Sequence, residues 1–293
     1  MNIVLQYSPV ALFLIMLGVG MTINIKNFIE IFKDLKALLT GLLLQMVILP
    51  TTGLFFAIFA PFDTAVKLGI ILITCVPSAI SSNYITKLAS GNIVLSVFLT
   101  AVTSSLSFIT IPFILIIVAP IILDEAIIFQ EFNFKKISLF LFFMATVPIL
   151  IGTFINTKFS IFVEKIKKIY SIFSLLLFLI IIFAAWFSEW DFIISLYKSI
   201  GLLVVLLLVL ILVIAYTLVN LLNLSEINKK TIIIESLIQN AAAAIIVGSA
   251  FLGVEGGYLS IAALYALLQY KMLIFLWVIN KFSYNLNLKI KKN

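Results

Sequence analysis

Of the twelve acidic residues in the chain, Glu235 is the one that falls inside an apolar run. It heads the stretch Glu235-Ser236-Leu237-Ile238-Gln239-Asn240, which four alanines follow. An ionised carboxylate at the centre of a bilayer costs a few kcal/mol, so it calls for a partner. The expected partner is a cation, in a protein that moves something across a membrane. A second anomaly lies in Ile73-Thr74-Cys75-Val76-Pro77-Ser78-Ala79-Ile80-Ser81-Ser82-Asn83-Tyr84. Pro77 removes a backbone donor and disturbs the turn before it. Ser78, Ser81, Ser82 and Asn83 then offer oxygens at a depth where lipid offers none. Taken alone, this stretch also reads as a kinked helix whose serines bond back to carbonyls. Interhelical hydrogen bonding accounts for Gln239 or Asn240 singly, but poorly for a carboxylate. Ser96 and Thr100, four apart, share one helix face, and Gln45 lies five residues before Pro50. Hard cations take several oxygen ligands, and these residues supply only oxygen and amide groups. Two broken helices meeting near the midplane are a known way for transporters to build alkali-cation sites.

The elements that position these residues must be membrane helices. Hydrophobic residues make up 64% of the 293 and charged residues 11%, too little polar surface for a soluble domain. There is no histidine and one cysteine, Cys75. That inventory excludes a His-based zinc site, a Ser-His-Asp triad, a histidine proton relay and a disulfide framework. With no nucleotide motif either, the chain is expected not to be an enzyme and to carry no cofactor. The first apolar run lacks a basic start and a small-residue cleavage site, so it is expected to stay rather than be cleaved as a signal peptide. Apolar runs near 4–22, 37–60, 66–89, 93–122, 137–157, 169–187, 199–222, 231–252 and 258–280 predict nine spans. All nineteen basic residues are lysines, and alternate loops on one side collect fourteen of them against four on the other. This distribution reads as positive-inside topology rather than nucleic-acid binding. It places the N-terminus outside and the C-terminus in the cytoplasm, in a multi-pass plasma-membrane protein. Trp186 and Trp190 fit an interfacial belt at the outer end of the sixth span. Nine spans also follow from two inverted five-span repeats of which the first has lost its opening helix.

The block Pro77-Ser78-Ala79-Ile80-Ser81-Ser82-Asn83, continued by Gly91-Asn92-Ile93-Val94-Leu95-Ser96 and Thr100, resembles a helix crossover of the bile acid:sodium symporter family. Glu235-x-x-x-Gln239-Asn240 resembles the family's second crossover, and Leu17-Gly18-Val19-Gly20-Met21-Thr22 its second helix. The resemblance covers essentially the whole chain. It implies an all-α polytopic transporter with two crossed discontinuous helices, forming one transmembrane domain over residues 1–293. A panel would comprise the spans near 4–22, 137–157 and 169–187, and a core those near 37–122 and 199–280. One sodium site would use Ser82, Asn83, Ser96, Thr100 and Glu235. The other would use Gln45, Glu235, Gln239 and the carbonyls of Ser236 and Ile238. The implied activity is sodium-coupled symport of an organic anion by alternating access, with sodium, the anion and the lipid bilayer as partners. Two positions depart from the family pattern. Pro77-Ser78-Ala79 stands where Pro-Gly-Gly is usual, and glycine permits backbone angles that other residues resist. Ile80 stands where a threonine often lines the substrate pocket. Bile acids and smaller carboxylates or sulfonates remain open as substrates.

A cation/proton antiporter or an arsenite-type permease of similar architecture is the competing reading. The antiporter wants paired intramembrane carboxylates, and the permease a reactive thiol, for which Cys75 is the one candidate. Lys271 lies in the ninth span beside Gln269 and Tyr270. Its long stem can snorkel to the inner headgroups. Alternatively, with Asn240, Gln269 and Tyr270, it lines the substrate cavity and holds an anion.

Overall fold

The computed structural model describes residues 7–24, 30–59, 61–122, 134–188, 190–251 and 258–290. Residues 4–6, 60 and 252 of the expected spans, and Lys26, Lys291 and Lys292 of the lysine distribution, lie outside them. The described residues are helical apart from short connections and one isolated bridge. In chain order the helices are α1 (Ser8–Thr22), α2 (Phe32–Phe59), α3 (Thr64–Cys75), α4 (Ile80–Leu88) and α5 (Ile93–Ile122). Then follow α6 (Lys135–Lys158), α7 (Ser160–Ser188), α8 (Trp190–Leu221), α9 (Glu226–Leu237), α10 (Ala241–Phe251) and α11 (Tyr258–Ile290). Among the described residues, six stretches are long and apolar enough to cross a membrane, in α2, α5, α6, α7, α8 and α11. The apolar helices α1, α3 and α10 are shorter, at 15, 12 and 11 residues.

The helices α7 and α8 begin about nine residues before the apolar runs that predicted them. Glu164, Lys165, Lys167 and Lys168 occupy the early turns of α7. Charge ends the hydrocarbon-compatible stretch there without ending the helix, since glutamate and lysine are good helix formers. At the start of α9, Ser225 caps by accepting from the Asn228 N–H. Glu226 follows, and the hydrogen bond and charge of Lys229 hold its carboxyl below the usual carboxylate range.

Two helices contain a π-helical turn, residues 44–48 in α2 and 142–146 in α6, and each turn ends two residues before a proline. Pro50 and Pro148 bring no N–H to the i−4 carbonyl. The preceding residues, Leu49 and Val147, donate instead to Leu44 and Phe142, five residues back. The widened turn in α2 carries Gln45, and such turns often occur at functional sites.

Helices α1, α6 and α7 pack as a group. A Cβ on Gly20 would sit 2.2 Å from the Ile149 carbonyl oxygen, and one on Gly152 2.3 Å from that of Leu17. The α1 and α6 backbones touch, as small residues allow membrane helices to do. The Asn156 amide donates to the Ile23 carbonyl at 2.8 Å, and the Tyr170 hydroxyl of α7 to that of Leu14 at 2.6 Å.

The segments between α3 and α4 and between α9 and α10 cross each other. Val76, Ala79 and Ile238 are extended, and the Ala79 N–H donates to the Ile238 carbonyl at 3.1 Å. In return, the Asn240 N–H donates to the Pro77 carbonyl at 2.9 Å, closing an antiparallel bridge between Ser78 and Gln239. Helix breaks at membrane depth survive where protein satisfies the freed groups, and here each break serves the other. Among the described residues, the two non-glycine residues with positive φ are Ser90 and Asn223, both elsewhere. Ser78 and Ala79 therefore stand in the Pro-Gly-Gly positions at negative φ, and this crossover makes no use of glycine's freedom.

Candidate functional site

Four half-helices end at the crossing: the C-termini of α3 and α9, and the N-termini of α4 and α10. Their partial charges face a common centre. Glu235, in the last turn of α9, is 1% exposed. Its Oε1 accepts from the hydroxyls of Ser82 on α4 and Ser96 on α5, each at 2.5 Å. Its Oε2 accepts from Thr100 on α5 at 3.0 Å, and from Ser78 in the crossing segment. No lysine among the described residues takes part.

The hydroxyls are over-committed. Ser82 Oγ lies 2.7 Å from the Ala79 carbonyl as well as against Glu235, and Ser96 Oγ lies 2.7 Å from Asn83 Oδ1. Ser78 and Thr100 face one another at 3.0 Å. Each hydroxyl carries one hydrogen, so the cage holds more close oxygen pairs than hydrogens to fill them. A cation among those oxygens would convert repulsion into coordination, since hard cations accept carboxylate, hydroxyl and amide oxygen together.

A second cluster adjoins it. Gln45 Nε2 donates to the Glu235 backbone carbonyl at 2.6 Å, and Gln239 Nε2 to that of Ser236 at 2.9 Å. Gln239 Nε2 also lies 3.5 Å from Gln45 Oε1, while Gln239 Oε1 is buried without a partner. An unpaired buried carbonyl oxygen costs about 1–3 kcal/mol, and a cation can supply the missing interaction. The Ile238 carbonyl, expected to help here, already accepts from Ala79, leaving one lone pair for another contact.

All nine residues expected to hold sodium thus lie in two adjoining groups around Glu235. Of the residues expected to line the substrate cavity, Asn240, Gln269 and Tyr270 lie at or beside the crossing, and Lys271 does not. Asn240 is buried, and its carboxamide oxygen accepts from the Ala243 N–H, capping α10. Gln269 Oε1 accepts from the Gln239 N–H at 3.0 Å, holding the crossing segment from α11. The Tyr270 and Ser81 hydroxyls meet at 2.9 Å. Lys271 is exposed, two residues and roughly 200° around the helix from buried Gln269.

Sequence reasoning left two contacts out of the ligand sets. Ser78 was visible as an oxygen in the first break, yet its bond to Glu235 depends on the bridge to Gln239. Tyr265 donates to the Leu237 carbonyl at 3.0 Å and closes the end of α9. Its position one turn before Gln269, on the same face of α11, was the available signal.

A cavity of about 450 Å³ lies between the α1, α6 and α7 group and the helices α4 and α5. Ile80, Asn83, Tyr84 and Lys87 line it from α4, and Asn156 and Lys167 from the opposite wall. The hydroxyls of Tyr84 and Ser171 hydrogen-bond between α4 and α7.

The chain is similar in sequence to known transporters. A stretch of 116 residues is 33% identical to a protein of Bacillus subtilis named an uncharacterized sodium-dependent transporter, covering 39% of this chain and 36% of that protein. A probable chloroplastic sodium/metabolite cotransporter of Arabidopsis thaliana is 27% identical over 166 residues, covering 56% of this chain and 39% of the relative. The human sodium/bile acid cotransporter 4 is 26% identical over 233 residues, covering 78% of this chain and 52% of the relative. The matched stretches thus span about a third to a half of these relatives' lengths. The model of the Sodium Bile acid symporter family matches residues 9–196, more than half of the chain. By that match, and with a buried carboxylate at the crossing of two broken helices, the chain belongs to the Sodium Bile acid symporter family.

Proposed function

We propose that the protein couples sodium entry to symport of a small organic anion across the plasma membrane by alternating access. The observation that carries this reading is Glu235, a buried acid surrounded by oxygen and amide groups with no cationic side chain bonded to it among the described residues. Ser82, Asn83, Ser96, Thr100 and Glu235 would hold one sodium. Gln45, Gln239, the carbonyls of Ser236 and Ile238, and Glu235 would hold the second. Ser78 is a further oxygen within reach of the first.

Nine spans fit this reading if α3 with α4, and α9 with α10, each make one broken span beside α1 and the six longer stretches. The close packing of α1, α6 and α7 supports a panel near 4–22, 137–157 and 169–187. The core would comprise 37–122 and 199–280, with the N-terminus outside and the C-terminus in the cytoplasm. The anion would sit where panel and core face each other. Asn240, Gln269 and Tyr270 act from behind the crossing, and Lys271, exposed on the outer side of α11, suits snorkelling to the inner headgroups. Cys75, buried and not lining the cavity, lends no support to an arsenite route.

The test is thermal unfolding of purified protein in sodium against potassium at equal ionic strength. The proposal requires a sodium-specific rise in midpoint that saturates, because a ligand that binds the folded state stabilises it by mass action. Equal midpoints in the two salts would remove the basis for sodium coupling.

A further inference from the structure

On α4, Ile80, Asn83, Tyr84 and Lys87 recur at i, i+3, i+4 and i+7, one face of the helix, and all four line the 450 Å³ cavity. Asn83 is 8% exposed and joins two environments. Its Oδ1 meets Ser96 Oγ at 2.7 Å, on the Glu235 side. Its Nδ2 is buried with no hydrogen-bond partner. One turn further along the same face stands Lys87, exposed, with no carboxylate within ion-pair distance among the described residues. The other lysine lining the cavity, Lys167, lies 3.8 Å from Glu164, which is also in the wall. The remaining α4 positions on this face, Ile80 and Tyr84, are apolar or aromatic, as are Val94 and Val97 of α5 on the same wall.

We propose that Asn83 Nδ2 and the Lys87 ammonium form an anion-reading subsite that selects a substrate with one carboxylate or sulfonate head and an apolar body. The proposal rests on the sodium-symport reading above and deepens it by naming specificity residues and a substrate class. An N–H and an ammonium one helical turn apart match the two oxygens of such a head, and charge-assisted bonds are the strong ones. The apolar side chains beside them receive a hydrocarbon body but offer no partner to a second charge. Asn83 also links the two ligands through one planar group, its oxygen on the cation cage and its nitrogen on the anion. A sodium ion that fixes the Oδ1 arm therefore orients the Nδ2 arm, so sodium should tighten anion binding at this position.

Thermal unfolding of the full chain in sodium, with hexanoate, hexanesulfonate or succinate against chloride, tests it. In the unaltered protein the first two should raise the midpoint at lower concentration than succinate does. Lys87→Gln, an exposed change, should weaken the hexanoate and hexanesulfonate response about ten- to hundredfold, the scale of a lost bond to a charged group, and leave the sodium response alone. Asn83→Asp keeps an oxygen for the cage but replaces the donor with a second acceptor. It should strengthen the sodium response and abolish that to both monoanions. If both variants respond to the anions like the unaltered protein, or if the unaltered protein responds to sodium but to none of the three anions, the subsite is overturned while sodium binding stands. Absence of any sodium response in the unaltered protein would overturn the symport reading, and the subsite with it.

Discussion

Glu235→Gln isolates the charge at the crossing, because the amide has nearly the shape of the carboxylate. In the unaltered protein two hydroxyls converge on each carboxylate oxygen. Glutamine keeps one oxygen and presents N–H groups to the two hydroxyls on the other arm, which can turn to accept. The neutral side chain needs no counter-charge, so without sodium the variant should be at least as stable as the unaltered protein. With sodium the order should reverse. Removing one partner of a buried ion pair costs about 3–5 kcal/mol, and a tenfold change in affinity is about 1.4 kcal/mol. Sodium affinity should therefore fall by about two to three and a half orders of magnitude. Titration of sodium into purified protein in a potassium background, followed by calorimetry or by the unfolding midpoint, reads both effects. A variant that binds sodium within about threefold of the unaltered protein would refute the assignment of Glu235 as the shared ligand.

Other expectations follow from particular contacts. Ser96→Ala or Thr100→Ala should weaken one phase of the sodium titration and Gln45→Ala the other, by about tenfold each if one ligand bond of roughly 1–1.5 kcal/mol is lost. Unchanged titrations in all three would mean that the two clusters are wrongly assigned. Gly20→Ala and Gly152→Ala each force a methyl to within 2.3 Å of a backbone oxygen, so either should destabilise the fold by about 1–3 kcal/mol, the amount typical of overpacking, and lower the unfolding midpoint accordingly. An unshifted midpoint would count against the close packing of α1 on α6. Lys271→Met should leave anion binding unchanged in purified protein, since the side chain faces away from Gln269. A raised half-saturation concentration for the anion alone would instead put Lys271 in the cavity.

Much of the candidate site could be read from the residues because its parts are chemically out of place. A glutamate, two amides and a proline inside apolar runs are costly in lipid unless something compensates, and the local helical period put Ser96 and Thr100 on one face. What sequence could not supply was the relation between stretches 157 residues apart, such as Ser78 and Glu235. That contact follows from the antiparallel bridge, which local patterning does not encode. The departure at Pro77-Ser78-Ala79 looked like a conformational difficulty because glycine is associated with unusual angles, yet the backbone there stays at negative φ. Helix ends were the weakest reading. In α7 the apolar run ends where the chain leaves hydrocarbon, and the lysine-rich turn goes on as helix. Gln269, Tyr270 and Lys271 were grouped by adjacency in sequence, but the helical turn separates Lys271 from the buried Gln269.

The most direct measurement is uptake into proteoliposomes of a panel of labelled monocarboxylates, dicarboxylates and sulfonates, under an inward sodium gradient or an equal potassium gradient. Sodium-coupled symport predicts that at least one anion accumulates above equilibrium with sodium alone, and that Glu235→Ala, still folded in the membrane, abolishes the accumulation. Accumulation that is equal in potassium, or that follows a proton gradient and survives Glu235→Ala, would contradict the account.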